Sequence, residues 1–558
     1  MNVSSAARVL KTELSSAVAL CEGINTPRAL AVALMIKYGE FDQLVNLQID
    51  WRHYTDPDSF RDDYMVTSIL QKNPRIPTSY DRRQKAIDKF HAAERQCAET
   101  NHRLELFGRG MVSPTNPLVS RTVHTARELL RKWLNHAPSR SQLRSAYESM
   151  GFGPGATTSL SGVVTKGKKY SLRTSEATPR VSQFRTFFMP HLWRENSQDL
   201  RIVESSKLVT VPKNAKTDRC ICIEPDLNIY VQKGFGRVLR DVLASLGVNL
   251  RSQERNQFLA SQAWKRNLTT MDLSAASDTI SKECVWLLLP FSWADALEFS
   301  RVDSTELEGH RIHLEKWSSM GNGYTFELET LLFYSLVVAS CVVVGCPIDD
   351  ASCYGDDIIV PTAASGVLTA TLEFLGFSVN QEKTFGTGLF HESCGKDYFM
   401  GVDVRPVFFR TETHDFETSC YINANNLQRW AGSRYDCFAR DARVLPAWLR
   451  CFTAVAPTHR HRVPEGFGDV GFVSSFDEAR PNLHRPRGYG RGWAGISFNY
   501  RRIGIRTVVV DTKGSYIATL AGEMSDSQSG MEALRGRHMR AATRVGTTLA
   551  WPHLGAWA

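Results

Sequence analysis

The sequence lacks the patterns that mark secreted, zinc-binding and membrane-spanning proteins. Its twelve cysteines include no Cys-x-x-Cys pair, so we expect reduced thiols in a cytoplasm rather than a disulfide framework or a zinc site. The first residues carry no apolar core of a signal peptide. The longest apolar run, residues 331–346, is shorter than the roughly 20 residues that a membrane span needs. We therefore predict a buried helix at this run and no membrane partner.

Two catalytic signatures are also missing. No Gly-x-x-x-x-Gly-Lys-Ser/Thr occurs, which argues against an attached P-loop ATPase or helicase. No Gly-x-Ser-x-Gly occurs, so acyl transfer is not supported. The His310/His313 and His459/His461 pairs have no acids or cysteines nearby in the sequence to complete a metal set, and we interpret them as ordinary histidines.

The composition is that of a large globular protein. The chain has 558 residues, of which 42% are hydrophobic and 22% charged, enough for two to four domains with a sizeable core. The net charge is +9, with a pI of about 8.9. This mild excess of positive charge is compatible with a polyanionic partner but does not by itself indicate one.

Two adjacent carboxylates, Asp356 and Asp357, follow Tyr354-Gly355 and precede the β-branched run Ile358–Val360. Glycine and aspartate favour tight turns, while isoleucine and valine favour strands, so the pattern predicts a β-hairpin with both acids near its tip. Adjacent acids repel each other unless a cation lies between them. One alternative is a solvated surface turn. The apolar flanks favour instead a largely buried hairpin that holds Mg²⁺ or Mn²⁺ through oxygen ligands.

A third acid, Asp272, ends the strand-like run Thr269–Met271. An acid at the carboxyl end of a strand points into the crevice where α/β folds bind ligands. Two ions roughly 3.5–4 Å apart can bind both the attacking and the leaving oxygen of a phosphoryl transfer. We predict that Asp272, Asp356 and Asp357 are catalytic and hold two Mg²⁺ ions, for which Mn²⁺ can substitute.

The order of these motifs resembles the palm of viral RNA-dependent RNA polymerases: a strand ending in Asp, a glycine-rich turn at 319–325 leading into a helix, then Tyr-Gly-Asp-Asp. Segments 272–278, 320–329 and 390–404 resemble more closely the replicase subunit of the leviviruses, the small RNA bacteriophages. The resemblance is clear from about residue 207 to residue 410. It implies an α+β right-hand polymerase fold with N-terminal region and fingers at 1–270, palm at 271–410 and thumb with C-terminal region at 411–558.

The resemblance also implies an activity and partners. We expect an RNA-directed RNA polymerase that replicates a single-stranded RNA phage genome from NTPs and releases pyrophosphate, in the cytoplasm of an infected bacterium. Template and product RNA would be bound. The host elongation factors Tu and Ts and a host ribosomal protein would be further subunits.

Residues 207–224 form a predicted strand, a basic connector and a second strand, presenting Lys213, Lys216 and Arg219. Such cations can offset the charge of a triphosphate, Arg by bidentate contact and Lys as a point charge. Read alone, the ribbon could equally be a solvated hairpin. The resemblance assigns it to the basic fingers motif over the nucleotide entry path.

Further roles come from the resemblance. Asp278, which we place one turn into a helix, would sense the ribose 2′-hydroxyl; its alternative is an acid that complements the helix dipole. Gly321 would let the backbone approach a nucleotide, and Asn322 could hydrogen-bond it. Lys383, preferred over Lys396, would protonate the leaving pyrophosphate as a general acid, unless it is a surface lysine.

The sequence departs from the wider polymerase pattern at one place. Many relatives have Ser-Gly and a later Asn where this chain has Met320-Gly321 and Glu329, which puts the detailed sugar-reading roles in doubt. We expect Glu327 and Glu329 to face solvent or to pair with basic neighbours.

Two other functions fit parts of the sequence. A reverse transcriptase can share a Tyr-x-Asp-Asp hairpin, and a non-catalytic RNA-binding protein could retain a decayed palm. The complete acid set argues against decay. Near the C-terminus, residues 485–493 interleave arginine, glycine and aromatics, which suits stacking on single-stranded nucleic acid and equally an exposed loop.

Overall fold

The computed structural model describes residues 3–162, 166–410, 415–435, 438–484, 495–505, 512–521 and 539–558. The arginine, glycine and aromatic segment at 485–493 lies outside these ranges. Within them the chain mixes helices with short sheets, which is the predicted α+β class.

The N-terminal part is helical. Thr26 caps the second helix through its side chain and Pro27 begins it, while Gly39 ends it in the left-handed region at φ 75°. Asp81 caps the longest helix, which runs into the centre of the molecule. The helices are α1 (Val3–Ile24), α2 (Pro27–Tyr38), α3 (Phe41–Asn46), α4 (Pro57–Ser68), α5 (Arg82–Gly108), α6 (Pro117–Leu134) and α7 (Arg140–Glu148).

The next part carries the predicted basic ribbon as an antiparallel strand pair, in which Val211 lies opposite Arg219. A further hairpin downstream extends the ribbon into a four-stranded sheet of order β4-β3-β7-β8. The elements up to this sheet and the helix after it are α8 (Lys166–Tyr170), β1 (Thr174–Ala177), α9 (Pro179–Ser182), α10 (Arg185–Phe188), α11 (His191–Asn196), β2 (Asp199–Ile202), β3 (Ser206–Pro212), β4 (Asp218–Ile223) and α12 (Asp226–Ser245).

The central part is built around a three-stranded antiparallel sheet of order β5-β10-β9, the predicted palm sheet. Its elements are α13 (Glu254–Arg266), β5 (Leu268–Met271), β6 (Leu273–Ser274), α14 (Lys282–Leu288), α15 (Phe291–Glu298), β7 (Ser304–Leu307), β8 (His310–His313), α16 (Thr325–Val344), β9 (Ser352–Tyr354), β10 (Asp357–Pro361), α17 (Thr362–Phe374), β11 (Ser378–Val379), β12 (Phe390–Ser393), β13 (Lys396–Phe399) and β14 (Val402–Asp403).

Helix α16 is the buried helix that the apolar run predicts, and it begins earlier than the run does. With 20 residues it is long and apolar enough to cross a membrane, yet most of it is buried inside the protein. Leu331, Leu332 and Leu336 are fully enclosed in the main hydrophobic core. Its burial fits the central helix of a folded core.

The C-terminal part combines helices with a three-stranded sheet of order β18-β19-β20. It contains α18 (Phe416–Ser433), β15 (Ala439–Arg440), α19 (Leu445–Ala454), β16 (Arg462–Val463), β17 (Phe472–Val473), α20 (Phe476–Ala479), β18 (Asn482–His484), β19 (Gly495–Ile505), α21 (Thr512–Leu520), β20 (Met539–Thr548) and β21 (Ala556–Trp557). Helix α1 packs against α18 and α19, so the first helix shares a core with this part. The predicted domain boundaries stay predictions.

Cysteines in the described part of the chain are free thiols, most of them buried, as the sequence predicts. Burial raises the pKa of several, including Cys21 and Cys284, each to about 12. These groups therefore stay protonated near neutral pH.

Candidate active site

The sheet brings the three predicted acids to one edge. Asp272 directly follows β5, Asp356 lies in the turn between β9 and β10, and Asp357 begins β10. Met271 lies opposite Ile358 across the sheet. Gly355 makes the turn at φ 62°, and a Cβ there would stand 2.6 Å from the ring of Phe326. The turn therefore requires glycine both for its backbone angle and for the space against α16.

Burial first, and then repulsion among the acids, raises the pKa of both acids of the hairpin. Burial raises the pKa of Asp356, and the nearby carboxylate of Asp272 raises it further. Burial raises the pKa of Asp357 to about 6, although the N–H of Cys394 favours its charged form; Asp356 and Asp272 add to the rise. A cation between these groups would offset the cost of holding all three charged.

The donor set fits hard divalent ions as a partial ligand shell. Carboxylate oxygens suit Mg²⁺ and Mn²⁺, which keep several water or phosphate ligands rather than a complete protein cage. In the described ranges no group of three or more His, Cys, Asp or Glu is placed so that it could hold a metal ion, and this includes the three acids in the arrangement seen here. Asp272, Asp356 and Asp357 could hold such ions together with nucleotide phosphates.

Polar side chains from neighbouring elements fix two of the acids. The backbone N–H of Cys394 donates to Asp357 Oδ1 at 3.0 Å. Asn256 on α13 donates to the carbonyl of Asp357 at 3.0 Å. Asn380 donates to Asp272 Oδ2 at 3.1 Å, and its own backbone N–H donates to the carbonyl of Asp272. The segments that follow α17 thus hold both carboxylates, while α13 holds the backbone of Asp357.

Lys383 lies beside the acids. Its Nζ is 3.6 Å from Asp272 Oδ2. Burial opposes its charge, but Glu392, Asp272 and Asp357 outweigh that effect and raise the pKa of Lys383. The rejected candidate, Lys396, pairs instead with Asp403. Geometry therefore favours the choice of Lys383.

The ribbon residues divide into two groups. Lys213 keeps an accessible surface although other groups surround it. Desolvation lowers the pKa of Lys213 most, and the cations of Arg219, Lys89 and Lys383 lower it further. Asp272 raises this pKa. These neighbours put Lys213 and Arg219 on the side of the acids. Lys216 donates instead to Asn46 on α3 at 3.2 Å.

The glycine-rich loop before α16 packs on the chain itself. Gly321 has φ 119°, and a Cβ there would overlap the carbonyl oxygen of Cys222 on β4. The N–H of Cys222 donates to the carbonyl of Met320 at 2.9 Å. Asn322 accepts at Oδ1 from the N–H of Tyr324. The close approach that Gly321 allows is to β4, and nucleotide contacts by Gly321 and Asn322 stay predictions.

The predicted helical position of Asp278 is wrong. Asp278 lies in a short 3₁₀ turn, Ala276–Thr279, and the following α-helix begins only at Lys282. Its carboxylate accepts at 2.9 Å from the ammonium of Lys316, so a buried ion pair, not a helix dipole, stabilises it. The local pattern could not show this partner, since Lys316 is remote in sequence.

Neither glutamate on α16 faces solvent. Glu327 accepts from Arg240 Nε at 3.1 Å, which is the predicted pairing with a basic neighbour. Glu329 is buried. Burial, Asp356 and Asp278 together raise its pKa well above the usual range. Solvation is excluded for Glu329 because its helix is enclosed by the core.

A cavity of about 920 Å³ opens beside Lys383, between the N-terminal helices and the palm. Its walls combine aromatic rings with charged groups of both signs, so the arginine and lysine cations on the lining are matched by as many acids. The charged groups and rings on its lining are Arg28, Arg52, Lys383, Asp50, Glu382, Glu392, Trp51, His53, Phe60, Tyr64, Phe385 and Phe390.

Comparisons with known proteins agree with this geometry. The family model described as RNA replicase, beta-chain, matches residues 30–491. The chain is 35% identical to the RNA-directed RNA polymerase subunit beta of Escherichia virus Qbeta, over 84% of this chain and 78% of that protein. It is 38% identical to the corresponding subunit of Enterobacteria phage SP, over 75% and 72%. It is 34% identical to the beta chain of Escherichia phage MS2, over 62% and 64%.

Among solved structures, the RNA-dependent RNA polymerase of a human picobirnavirus is similar to 74% of this chain, over 80% of its own length. The identity is 13% and the TM-score 0.46, so the assignment depends on the sequence relatives. Because the family model and the phage relatives span most of the chain, this protein belongs to the RNA replicase beta-chain family of the RNA bacteriophages.

Proposed function

We propose that this RNA-directed RNA polymerase joins ribonucleotides at the carboxylates of Asp272, Asp356 and Asp357, using two Mg²⁺ ions for which Mn²⁺ can substitute. The observation that carries the proposal is the meeting of these acids at one sheet edge, beside the ammonium of Lys383. Such ions, when bound, would make the 3′-hydroxyl a better nucleophile and offset phosphate charge.

The remaining catalysis is positioning by the protein's own groups. Asn256 and Cys394 hold Asp357, and Asn380 holds Asp272, so the carboxylates keep a fixed spacing. Lys213 and Arg219 would meet the triphosphate, where fixed cations stabilise developing charge. Lys216 is directed at Asn46 in the free protein and would need a new rotamer to join them.

Lys383 would donate a proton to the pyrophosphate leaving group. Its ammonium is kept charged by Glu392, Asp272 and Asp357. A general acid must stay protonated until it transfers its proton to the leaving group. Asp278 would meet the ribose 2′-hydroxyl, and Gly321 with Asn322 would border the nucleotide.

Partners beyond RNA and NTPs are part of the proposal. The chain would work with host elongation factors Tu and Ts and a host ribosomal protein, inside the cytoplasm of the infected bacterium and without a membrane. The phage relatives are named as beta subunits, which supports an assembly of several chains.

The experiment is ribonucleotide incorporation on a single-stranded RNA template with Mg²⁺, by the purified chain alone and with bacterial extract. Asp357→Asn keeps the shape of the side chain and removes its charge, so we expect synthesis to fall to background. Synthesis that depends on extract would support host subunits.

Two results would contradict the proposal. Efficient incorporation of deoxyribonucleotides on the same template would favour a reverse transcriptase. If the wild type binds RNA but shows no synthesis that is lost in Asp357→Asn, the result would favour a non-catalytic RNA-binding protein.

A further inference from the structure

We infer that Lys316 is a positioning residue for ribose selection, because it holds the carboxylate of Asp278 in the orientation that meets the 2′-hydroxyl of the incoming nucleotide. This inference rests on the role proposed above for Asp278. It adds the group that makes that role possible.

Lys316 is fully enclosed, with no accessible side-chain surface. Its Nζ lies 2.9 Å from Asp278 Oδ1 and 3.2 Å from Glu94 Oε1. It also lies 4.1 Å from the ring centre of Phe90. A buried ammonium is retained only with close partners, and both carboxylates here keep it charged.

One face of α5 supports this arrangement. Glu94 accepts at Oε2 from the N–H of Glu315 at 2.6 Å. Cys97 donates to the carbonyl of Asp278 at 3.5 Å. Asn101 donates to the carbonyl of Glu315 at 2.9 Å. Glu94, Cys97 and Asn101 are spaced so that they share one face of α5. This face therefore binds the segments that carry Asp278 and Lys316.

The geometry points to selection rather than to packing alone. Asp278 keeps 22% of its side chain exposed although Lys316 is completely buried, so the pair joins an enclosed charge to an accessible carboxylate. Asp278 follows Asp272, one of the proposed metal-binding acids, by six residues, so both lie on the short segment between β5 and α14. A site built to hydrogen-bond a hydroxyl rejects the analogue that lacks it, provided that its acceptor is held in place.

The test compares the kcat/KM for ATP and for dATP, on an RNA template with Mg²⁺ and with any host extract that the wild type requires. In Lys316→Met the ratio of the two values should fall about tenfold, mainly through a higher KM for ATP. Lys316→Arg keeps a charged donor and should recover part of the ratio. Loss of packing alone would lower both values equally and leave the ratio unchanged.

Two further variants guard against misfolding. Lys316→Met can leave Glu94 as an uncompensated buried charge, so it is also combined with Glu94→Gln, whose amide oxygen can still accept from Glu315. The matched control is Lys282→Met, which removes the ammonium that pairs with Glu315 at 3.3 Å. This control should keep the wild-type ratio.

The outcomes separate this inference from the proposed function. No synthesis by the wild type under any condition would contradict the proposed function. Wild-type synthesis with an unchanged ratio in the folded double variant would overturn the inference alone. A ratio that falls in Asp278→Asn but in neither Lys316 variant would overturn it as well.

Discussion

Single charged residues carry the chemistry proposed for this site, and Lys383 is the clearest to test. Lys383→Met should lower kcat about 100-fold, because general-acid assistance is lost, while RNA binding stays unchanged. Lys383→Arg should remain slow, since a guanidinium keeps its proton at any working pH. Single-turnover incorporation by the three proteins measures the effect.

The matched control for Lys383 is Lys396→Met. Lys396 pairs with Asp403 rather than with one of the three acids. A loss of rate in this control as large as in Lys383→Met would contradict a specific role for Lys383. Full recovery of the rate in Lys383→Arg would show that Lys383 acts through its positive charge and not as a general acid.

The burial of Glu224 should make the stability of the folded protein depend on pH. Complete burial raises its pKa to about 7, although Gln232 donates to it. The folded protein therefore prefers the protonated form, and the contribution of this group to stability is lost as the pH rises from about 4.5 to about 7. Glu224→Gln should increase the free energy of unfolding at pH 8 by about 3 kcal/mol and change little at pH 4.5.

Thermal unfolding of both proteins between pH 4.5 and pH 8 measures this difference. Gln232→Glu is not a suitable control because Gln232 also donates to the carbonyl of Ser300 and accepts from Gly323. Lys11→Ala, which changes an exposed side chain of α1, serves instead. A gain for Glu224→Gln that is equal at both pH values would contradict the explanation.

At this scale the sequence identified the acids but not the groups that hold them. Asp356 and Asp357 stand out because two carboxylates interrupt an apolar hairpin. Lys316 and Asn256 have no comparable local signal. The sequence around a buried lysine or asparagine does not differ from the sequence around a solvated one. Their partners are supplied by segments far away along the chain.

Among whole elements, the junction between β4 and the loop before α16 is tightly constrained. Gly321→Ala adds a Cβ that overlaps the carbonyl of Cys222 and adopts a φ that disfavours side chains. We expect a loss of at least about 2 kcal/mol in the free energy of unfolding, together with reduced synthesis. Denaturant unfolding and the incorporation assay measure the two effects.

Gly366→Ala is the matched control for Gly321→Ala. Gly366 lies inside α17, is exposed, and has no atoms near the position of an added Cβ. It should stabilise the protein by about 0.5–1 kcal/mol. Equal behaviour of the two variants would contradict the steric argument.

Elements with strong local signals were predicted well. The hairpin of β9 and β10, the buried helix α16 and the ribbon of β3 and β4 follow from alternation, apolar length and turn residues. The short turn that carries Asp278 was predicted as a helix, because the run after it has helical composition. Its contacts with α5 and Lys316, which are not local, decide its conformation.

For the molecule as a whole, the sharing of one core by α1 and the C-terminal helices has a testable effect. Leu20 on α1 is fully buried in a cluster that includes Leu427, Val444 and Ala447. Leu20→Ala should destabilise the protein by about 2–5 kcal/mol and expose the C-terminal helices to protease first. Thermal unfolding and limited proteolysis with fragment mapping measure this.

Lys11→Ala is again the control, and it should stay within about 0.5 kcal/mol of the wild type. First cleavage of Leu20→Ala within the palm, with the C-terminal helices intact, would contradict a shared core. The order of the motifs predicted the family and the palm, but no local pattern in α1 indicates a partner more than 400 residues away.

This arrangement also has a consequence during synthesis of the chain. Helix α1 leaves the ribosome before α19, against which it packs and which begins at Leu445. At roughly 5–20 residues per second, the apolar face of α1 waits about 20–90 s for that partner. Until α19 has been made, the nascent polymerase therefore presents a binding site for chaperones, and a chain that terminates before α19 would keep presenting it.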